Sequence, residues 1–246
     1  MPDTILLCGG EGRRLRSILG DTPKGMADIG GRPFLELLLR QLQRHGFRRA
    51  ILAVGYRKDI IRSHFGESAF GLSLAYAIES APLGTGGALR NAADLVESDT
   101  VLVMNGDTYT EVDLHEVATD YDETTPEVSI VVVPADGRGD CGSVLVDESG
   151  KLAHFQEKQG PFSAPYFSAG IYMLSRRMLY EIPPGIEVSL EQELLPRWIR
   201  QGRCIRGFVC PGRCFDIGTP ERYRSAQGIL ANVESTGCWL RGEGSL

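Results

Sequence analysis

An α/β fold with a mostly parallel sheet is what this sequence predicts, and three observations predict it. Short β-branched or aliphatic runs alternate with segments whose apolar residues recur at three-to-four spacing, the pattern of strands that cross over through helices. The 246 residues are 42% hydrophobic, enough for one large core. No run approaches the ~18 to 20 apolar residues that a membrane span requires.

The first strand is expected over 4–8. A helix is predicted over 34–45, where Leu35, Leu38, Leu39 and Leu42 form one apolar stripe that stops before Gly46. Strands over 50–54, 72–78 and 101–104 alternate with helices over 58–65 and 85–93, and a further helix over 114–121 leads to an almost wholly apolar run over 128–133 that reads as a buried strand. The pattern then changes. Residues 143–146 and 151–155, joined by Asp147-Glu148-Ser149-Gly150, read as a hairpin, and 171–174 as another strand. Helices over 176–181 and 190–200 precede a strand pair at 205–209 and 214–216. Thr219-Pro220 fits an N-cap and first helical residue, starting a last helix to about Asn232. Residues 1–234 are expected to form one domain, and 235–246 a mobile tail.

Charge narrows the ligand. With 26 Lys and Arg against 32 Asp and Glu, the net charge is −6, so no overall positive field draws the protein to nucleic acid and a small-molecule partner is expected. The opening Met-Pro-Asp lacks a basic n-region, which makes the cytoplasm the expected location. The six cysteines read as free thiols, since a chain this long without an export signal needs no disulfide staples. A zinc site at Cys204, Cys210 and Cys214 is the weaker alternative, because no C-x-x-C or paired His accompanies them. Between Arg90 and Arg138 stand twelve Asp or Glu and no Lys or Arg; most read as a solvated acidic face.

The chemistry is expected near the stretch 9–33, too long for a plain connector. Gly9, Gly10 and Gly12 follow a strand directly, so their backbone N–H groups can approach an anion, while Arg13, Arg14, Arg16 and Lys24 supply positive charge. A phosphate ester fits this loop, although three glycines also fit a plain turn. No Gly-Lys-Ser/Thr closes it and no third glycine opens a helix, so it is neither a P-loop nor a dinucleotide fingerprint. Asp107 stands just past the carboxyl end of a predicted central strand, where open α/β sheets bind ligands. Asp216 has a similar setting, and two hard oxygen donors with few others nearby suit Mg²⁺. A turn or capping role is the alternative for either carboxylate. Leu83-Gly84-Thr85-Gly86-Gly87 opens a helix with backbone donors expected to be exposed.

Taken in order, Leu7-Cys8-Gly9-Gly10-Glu11-Gly12-Arg13-Arg14, Pro23-Lys24, Leu83-Gly84-Thr85-Gly86-Gly87, Asn105-Gly106-Asp107, Glu157-Lys158, Ala169-Gly170-Ile171-Tyr172 and Asp216-Ile217-Gly218-Thr219-Pro220 resemble the sugar-1-phosphate nucleotidyltransferases. The likeness spans nearly the whole chain and is nearest to the D-glycero-D-manno-heptose 1-phosphate guanylyltransferases, with mannose 1-phosphate guanylyltransferases next. It implies a Rossmann-like fold with a mixed, mostly parallel sheet, and the reaction of NTP, GTP favoured, with a sugar 1-phosphate to give NDP-sugar and pyrophosphate. It also implies roles: Arg14, Lys24 and Asp107 catalytic; Leu7, Cys8, Gly9, Gly10, Gly12, Arg13, Gly84, Thr85, Asn105 and Gly106 at the nucleotide; Gly142, Glu157, Lys158 and Ser168 at the sugar phosphate; Asp107 and Asp216 on Mg²⁺. Arg13 stands where the family usually has Thr, Gly25 where a second Pro is usual, Cys141 where an aromatic is usual, and Ser168 where Asn is usual. A hexose 1-phosphate acceptor, or a non-catalytic nucleotide-sugar-binding subunit, is the alternative, and a homo-oligomer is left open.

Overall fold

The computed structural model describes residues 1–121, 126–135, 142–156 and 164–231. The chain opens with β1 (Asp3–Leu7), the short helix α1 (Arg16–Leu19) flanked by single turns at Arg13–Leu15 and Lys24–Met26, α2 (Phe34–Arg44), β2 (Arg49–Val54), α3 (Lys58–Phe65), β3 (Ser68–Ala69) and β4 (Leu72–Ile78). Next come α4 (Gly84–Ala92), β5 (Thr100–Asn105), β6 (Thr108–Thr110), α5 (Leu114–Asp120) and β7 (Val128–Pro134). β8 (Ser143–Val146), β9 (Leu152–Gln156), β10 (Tyr166–Ser175), α6 (Arg176–Tyr180), α7 (Leu195–Arg200), β11 (Ile205–Val209), β12 (Cys214–Asp216) and α8 (Pro220–Leu230) complete it.

Among the described residues ten strands form one sheet whose main order is β11-β7-β10-β5-β1-β2-β4-β3, with the β8–β9 hairpin attached to β10. β1, β2, β4 and β5 are parallel, β10 runs antiparallel to both β5 and β7, and β11 is parallel to β7. Side chains alternate along each strand and assign the helices to two faces. Leu6, Leu52, Leu102 and Met104 pack with Phe34, Leu38 and Leu42 of α2 and with Tyr223 and Leu230 of α8. Ile5, Ile51, Val101 and Val103 pack on the other face with Leu89 of α4, Met178 of α6 and Trp198 of α7. The mixed, mostly parallel sheet with helices on both faces agrees with the sequence reading.

Several elements differ from it. Residues 205–209 and 214–216 do not pair with each other. β11 joins β7, while β12 pairs antiparallel with the three-residue β6, which the sequence did not predict. Between β11 and β12 the chain presses against another segment: a Cβ at Gly212 would lie 1.8 Å from the Glu111 carbonyl oxygen, so only glycine lets it cross there. The stretch 9–33 is no open loop, because its short helical turns fold Leu15, Ala27 and Ile29 into the core. β10 begins five residues before the predicted strand at 171. Its pairing with β7 slips between Ser168 and Tyr172, where Gly170 takes φ +69°. The predicted helix over 190–200 starts as a wide π-type turn at Leu190–Leu194 before α7. Thr219 caps α8 as expected, accepting from the Arg222 N–H. Cys8, Cys204, Cys210 and Cys214 are free thiols. No helix among the described residues is long and apolar enough to cross a membrane. The expected tail lies outside the described residues.

At the crossing of β1 and β5, a Cβ added to Gly106 would sit 2.6 Å from Cys8 Sγ and 2.7 Å from the Leu7 carbonyl oxygen. Gly106→Ala therefore lowers stability by roughly 1–3 kcal/mol. Gly228→Ala, at an exposed position of α8 with nothing within 4 Å of its Cβ, raises it by about 0.5–1 kcal/mol. Urea unfolding distinguishes them; unfolding midpoints unchanged in both variants would refute this packing.

Candidate active site

Strand order reverses at β1. The chain builds β2 and then β4 to one side of it, and returns with β5 on the other. Leu7 pairs with Asn105, the last residues of β1 and β5, so the segments that follow diverge and open a crevice at the carboxyl edge of the sheet. The Gly106 N–H donates to the Leu7 carbonyl at 3.0 Å, closing the crevice floor.

One wall is the segment after β1. Among the described residues nothing accepts from the backbone N–H groups of Gly10, Glu11 or Gly12. Three successive unpaired donors suit an anion. Gly12 turns the chain at φ +61° and lies against Lys24, 3.3 Å from a Cβ built there to Lys24 Cβ. Leu7 ends β1, and the main chain of Cys8 is held by the sheet, its N–H donating to the Ala53 carbonyl at 2.8 Å. The Cys8 thiol is buried, and burial, followed by the charges of Asp107 and Glu79, raises its pKa and keeps it neutral. Arg13 points its guanidinium to Glu11 at 2.7 Å, whereas exposed Arg14 makes no ion pair among the described residues.

The charged groups then meet. Lys24 Nζ contacts Asp107 Oδ2, the lysine side chain 15% exposed and the carboxylate 38%, so the cation is sunk in the wall and the carboxylate reaches solvent. β12 lies beside β6 with Asp216 opposite Thr108, and the Ile217 N–H donates to the Asp107 carbonyl at 3.0 Å. Around a Cβ built on Gly218, Asp216 Oδ1 is at 2.7 Å, Arg14 Nη2 at 3.6 Å and Lys24 Nζ at 3.7 Å. Two cations and two carboxylates, drawn from four separate parts of the chain, thus converge. Asp216 is held by Arg222 at 2.9 Å and by the Gly218 N–H at 2.8 Å. It also lines, with Arg222, a cavity of about 430 Å³ that extends to Val133 and Phe167.

Asn105 Nδ2 would lie 2.5 Å from a Cβ at Gly170, so glycine there lets β10 pass close to the crevice. Ser168 follows, its N–H donating to the Gly142 carbonyl at 2.8 Å. Glu157 and Lys158 lie outside the described residues. At the start of α4 the structure corrects one expectation: the Gly86 and Gly87 N–H groups are not exposed but donate to the Val188 carbonyl at 2.8 and 3.2 Å. The Thr85 hydroxyl is likewise engaged, donating to Glu191 at 2.5 Å. The sequence reading missed Glu79. It follows β4 as Asp107 follows β5, its Oε1 would lie 2.6 Å from a Cβ at Gly9, and burial raises its carboxyl pKa against one hydrogen bond from the Leu83 N–H. The strand-end argument that found Asp107 applies equally to it.

Two hard carboxylates are the oxygen donors here, and among the described residues no group of three or more His, Cys, Asp or Glu could hold a metal. Such a set does not fit a zinc centre. It fits a hard cation that keeps waters and takes phosphate oxygens as further ligands.

Residues 3–232 match the family described as Nucleotidyl transferase. The chain is 34% identical over 242 residues to a mannose-1-phosphate guanylyltransferase of Mycobacterium tuberculosis, covering 98% of this chain and 67% of the relative. It is 33% identical over 228 residues to the D-glycero-alpha-D-manno-heptose 1-phosphate guanylyltransferase of Aneurinibacillus thermoaerophilus, covering 93% and 98%. The crystal structure of HddC from Yersinia pseudotuberculosis complexed with GMP-PN superposes with a TM-score of 0.81 at 34% identity, covering 94% of this chain and all of that one.

Glu79 gives the site a pH signature. Its folded pKa is raised, so between the ordinary carboxylate range and the raised value the native state holds the extra proton, and stability falls as pH rises. Glu79→Gln removes this slope. Urea unfolding gives equal stability for the variant and wild type at about pH 4, and a more stable variant at about pH 8. An advantage confined to acid, or none at either pH, would refute the burial of this carboxylate.

Proposed function

The chain belongs to the nucleotidyl transferase family, and from that premise we propose that it transfers the guanylyl group of GTP to D-glycero-α-D-manno-heptose 1-phosphate, releasing pyrophosphate. It is a sugar-1-phosphate nucleotidyltransferase. In this reading a phosphate oxygen of the sugar phosphate attacks the α-phosphorus of the nucleotide, a new P–O bond forms, and the bond to pyrophosphate breaks. No protein nucleophile is needed, so the work is positioning and neutralising phosphoryl charge.

The observation that carries the proposal is the convergence of Arg14, Lys24, Asp107 and Asp216 beside unpaired backbone donors at the point where strand order reverses. The Gly10–Gly12 backbone N–H groups donate to the phosphate oxygens, and Arg14 and Lys24 balance the charge on the α-phosphoryl and the leaving group. The family generally uses a divalent metal. We assign it as Mg²⁺, held by Asp107 and Asp216, whose carboxylates are the hard oxygen donors such an ion takes. Bound there, the ion supplies further charge neutralisation on the phosphate oxygens.

Glu79 supports guanine. The N1–H and the N2 amino group of guanine are neighbouring donors on one edge, and a carboxylate offers two acceptors to match. Adenine, cytosine and uracil do not present that pair of donors. For the acceptor, Ser168 and Gly142 sit beyond the crevice on the β10 side, and Glu157 and Lys158 complete the sugar-phosphate site by resemblance. The chain covers 98% of the heptose relative but 67% of the mannose relative, which favours the heptose phosphate; mannose 1-phosphate is the second reading, at 34% identity.

Pyrophosphate release measured for GTP, ATP, CTP and UTP against heptose, mannose and glucose 1-phosphates tests this directly. GTP with the heptose phosphate gives the highest kcat/KM, and EDTA abolishes it. Silence with every pair would remove the proposal, and equal rates with all four nucleotides would remove the role of Glu79. Asp107→Asn lowers turnover by ~10²-fold or more while the fold is kept, because a lost carboxylate ligand removes several kcal/mol of charge stabilisation. Turnover near wild type would show that Asp107 holds no metal.

A further inference from the structure

A chain of hydrogen bonds links the start of α4 to β10. At its centre is Glu191, half-buried in the wide turn at Leu190–Leu194. Thr85 at the start of α4 donates to Glu191 Oε2 at 2.5 Å, and Ser189 donates to the same oxygen at 3.1 Å. On the other side, the buried Tyr172 hydroxyl donates to Glu191 Oε1 at 3.4 Å, and Tyr172 is 3.3 Å from Ser168 Oγ. The wide turn sets this position: the Glu193 and Leu194 N–H groups both donate to the Ser189 carbonyl, at 3.2 and 3.1 Å, in place of a regular first α turn. π-type turns of this kind recur at functional sites.

Proton bookkeeping along the chain gives it a direction. An ionised carboxylate only accepts, and a hydroxyl has one proton. Tyr172 spends its proton on Glu191, so in the contact between Tyr172 and Ser168 it is the Ser168 proton that is donated. The Gly170 N–H occupies one lone pair of Ser168 Oγ at 3.2 Å. What Ser168 retains for a further partner is a single lone pair and no proton. Thr85 is fixed in the same sense: it donates to Glu191 and accepts from the Leu190 N–H at 2.8 Å.

We propose that Glu191 is a positioning residue that sets acceptor specificity: through Tyr172 it locks the Ser168 hydroxyl as an acceptor, so that this side of the site selects a substrate hydroxyl able to donate a hydrogen bond. The inference rests on the reading of Ser168 as part of the sugar-phosphate side. It goes beyond that reading in assigning a polarity to the contact and in naming a residue, remote from the substrate, that imposes it. A glutamine at 191 carries donors as well as an acceptor, so it releases the lock without changing the volume. Phenylalanine at 172 removes the link altogether.

The test uses mannose 1-phosphate and analogues in which each ring hydroxyl in turn is replaced by hydrogen or by fluorine, which accepts weakly and cannot donate. In the wild type, one position loses about tenfold or more in kcat/KM, and loses it equally for hydrogen and fluorine. In Glu191→Gln and Tyr172→Phe, the penalty for fluorine at that same position falls at least threefold, while KM for GTP changes less than twofold and thermal unfolding shows both variants folded. A general fall in kcat with the fluorine penalty intact would reduce Glu191 to a packing role and overturn the proposal. Ser168→Ala separates the two levels. If it leaves acceptor KM unchanged, the placement of Ser168 fails and the polarity claim falls with it. If it raises acceptor KM while Glu191→Gln leaves the fluorine penalty untouched, the site reading stands and only the lock is refuted.

Discussion

The parallel pairing of Leu7 with Asn105 is the constraint on which the site depends. Two strands leave one hydrogen-bonded register, and their successors must part because the chain continues to opposite sides of β1. The floor of the resulting crevice is backbone, sealed by the Gly106 N–H on Leu7 and by a Cys8 side chain against which no Cβ fits. Nothing at that level is chemically reactive: the Cys8 thiol is buried and kept neutral. In the proposed function the work falls to what stands on the rim, namely unpaired amides on one side and charged side chains on the other.

The rim charges are arranged in pairs that compensate one another. Lys24 contacts Asp107, and Arg222 holds Asp216. A buried cation beside a carboxylate avoids the cost of an uncompensated charge. Arg14 stands apart as an exposed cation without an ion pair among the described residues. In the proposed function, the anionic oxygens of a triphosphate replace the carboxylate on Lys24 and free Asp107 for a cation. The small β6–β12 sheet makes this exchange local, since it binds the two aspartate segments to each other rather than to the main sheet. The polar chain through Glu191 is arranged differently, with fixed hydrogen bonds and no mobile charge.

Legibility from the sequence followed physical range. Strands β1, β2, β4, β5 and β7 were readable because each is a continuous apolar run, and α2 because one stripe of leucines repeats along it. β6 was not, for it has three residues and its partner β12 lies about a hundred residues away. β10 looked shorter than it is because Gly170, needed for the close pass by Asn105, interrupts the apolar pattern. The stretch 9–33 looked like a loop because single helical turns carry no periodicity. At the site, Asp107 and Asp216 were found from their places at strand ends and from the order of motifs, and the structure brings them together. Glu79 follows a strand in the same manner but was passed over, and the exposure expected of the Gly86 and Gly87 amides failed because Val188, a hundred residues on, covers them. The role of Glu191 depends on hydrogen-bond direction, which no linear pattern encodes.

The central claim is that Asp107 and Asp216 hold one and the same cation against the nucleotide phosphates. Mn²⁺ affinity measured by electron paramagnetic resonance, in the presence of a non-hydrolysable GTP analogue, tests it most directly through a cycle of Asp107→Asn, Asp216→Asn and the double variant. Each single change weakens binding at least tenfold, and the double variant is no weaker than the poorer single one. Losses that multiply in the double variant, or affinities unchanged in both single ones, would contradict the account.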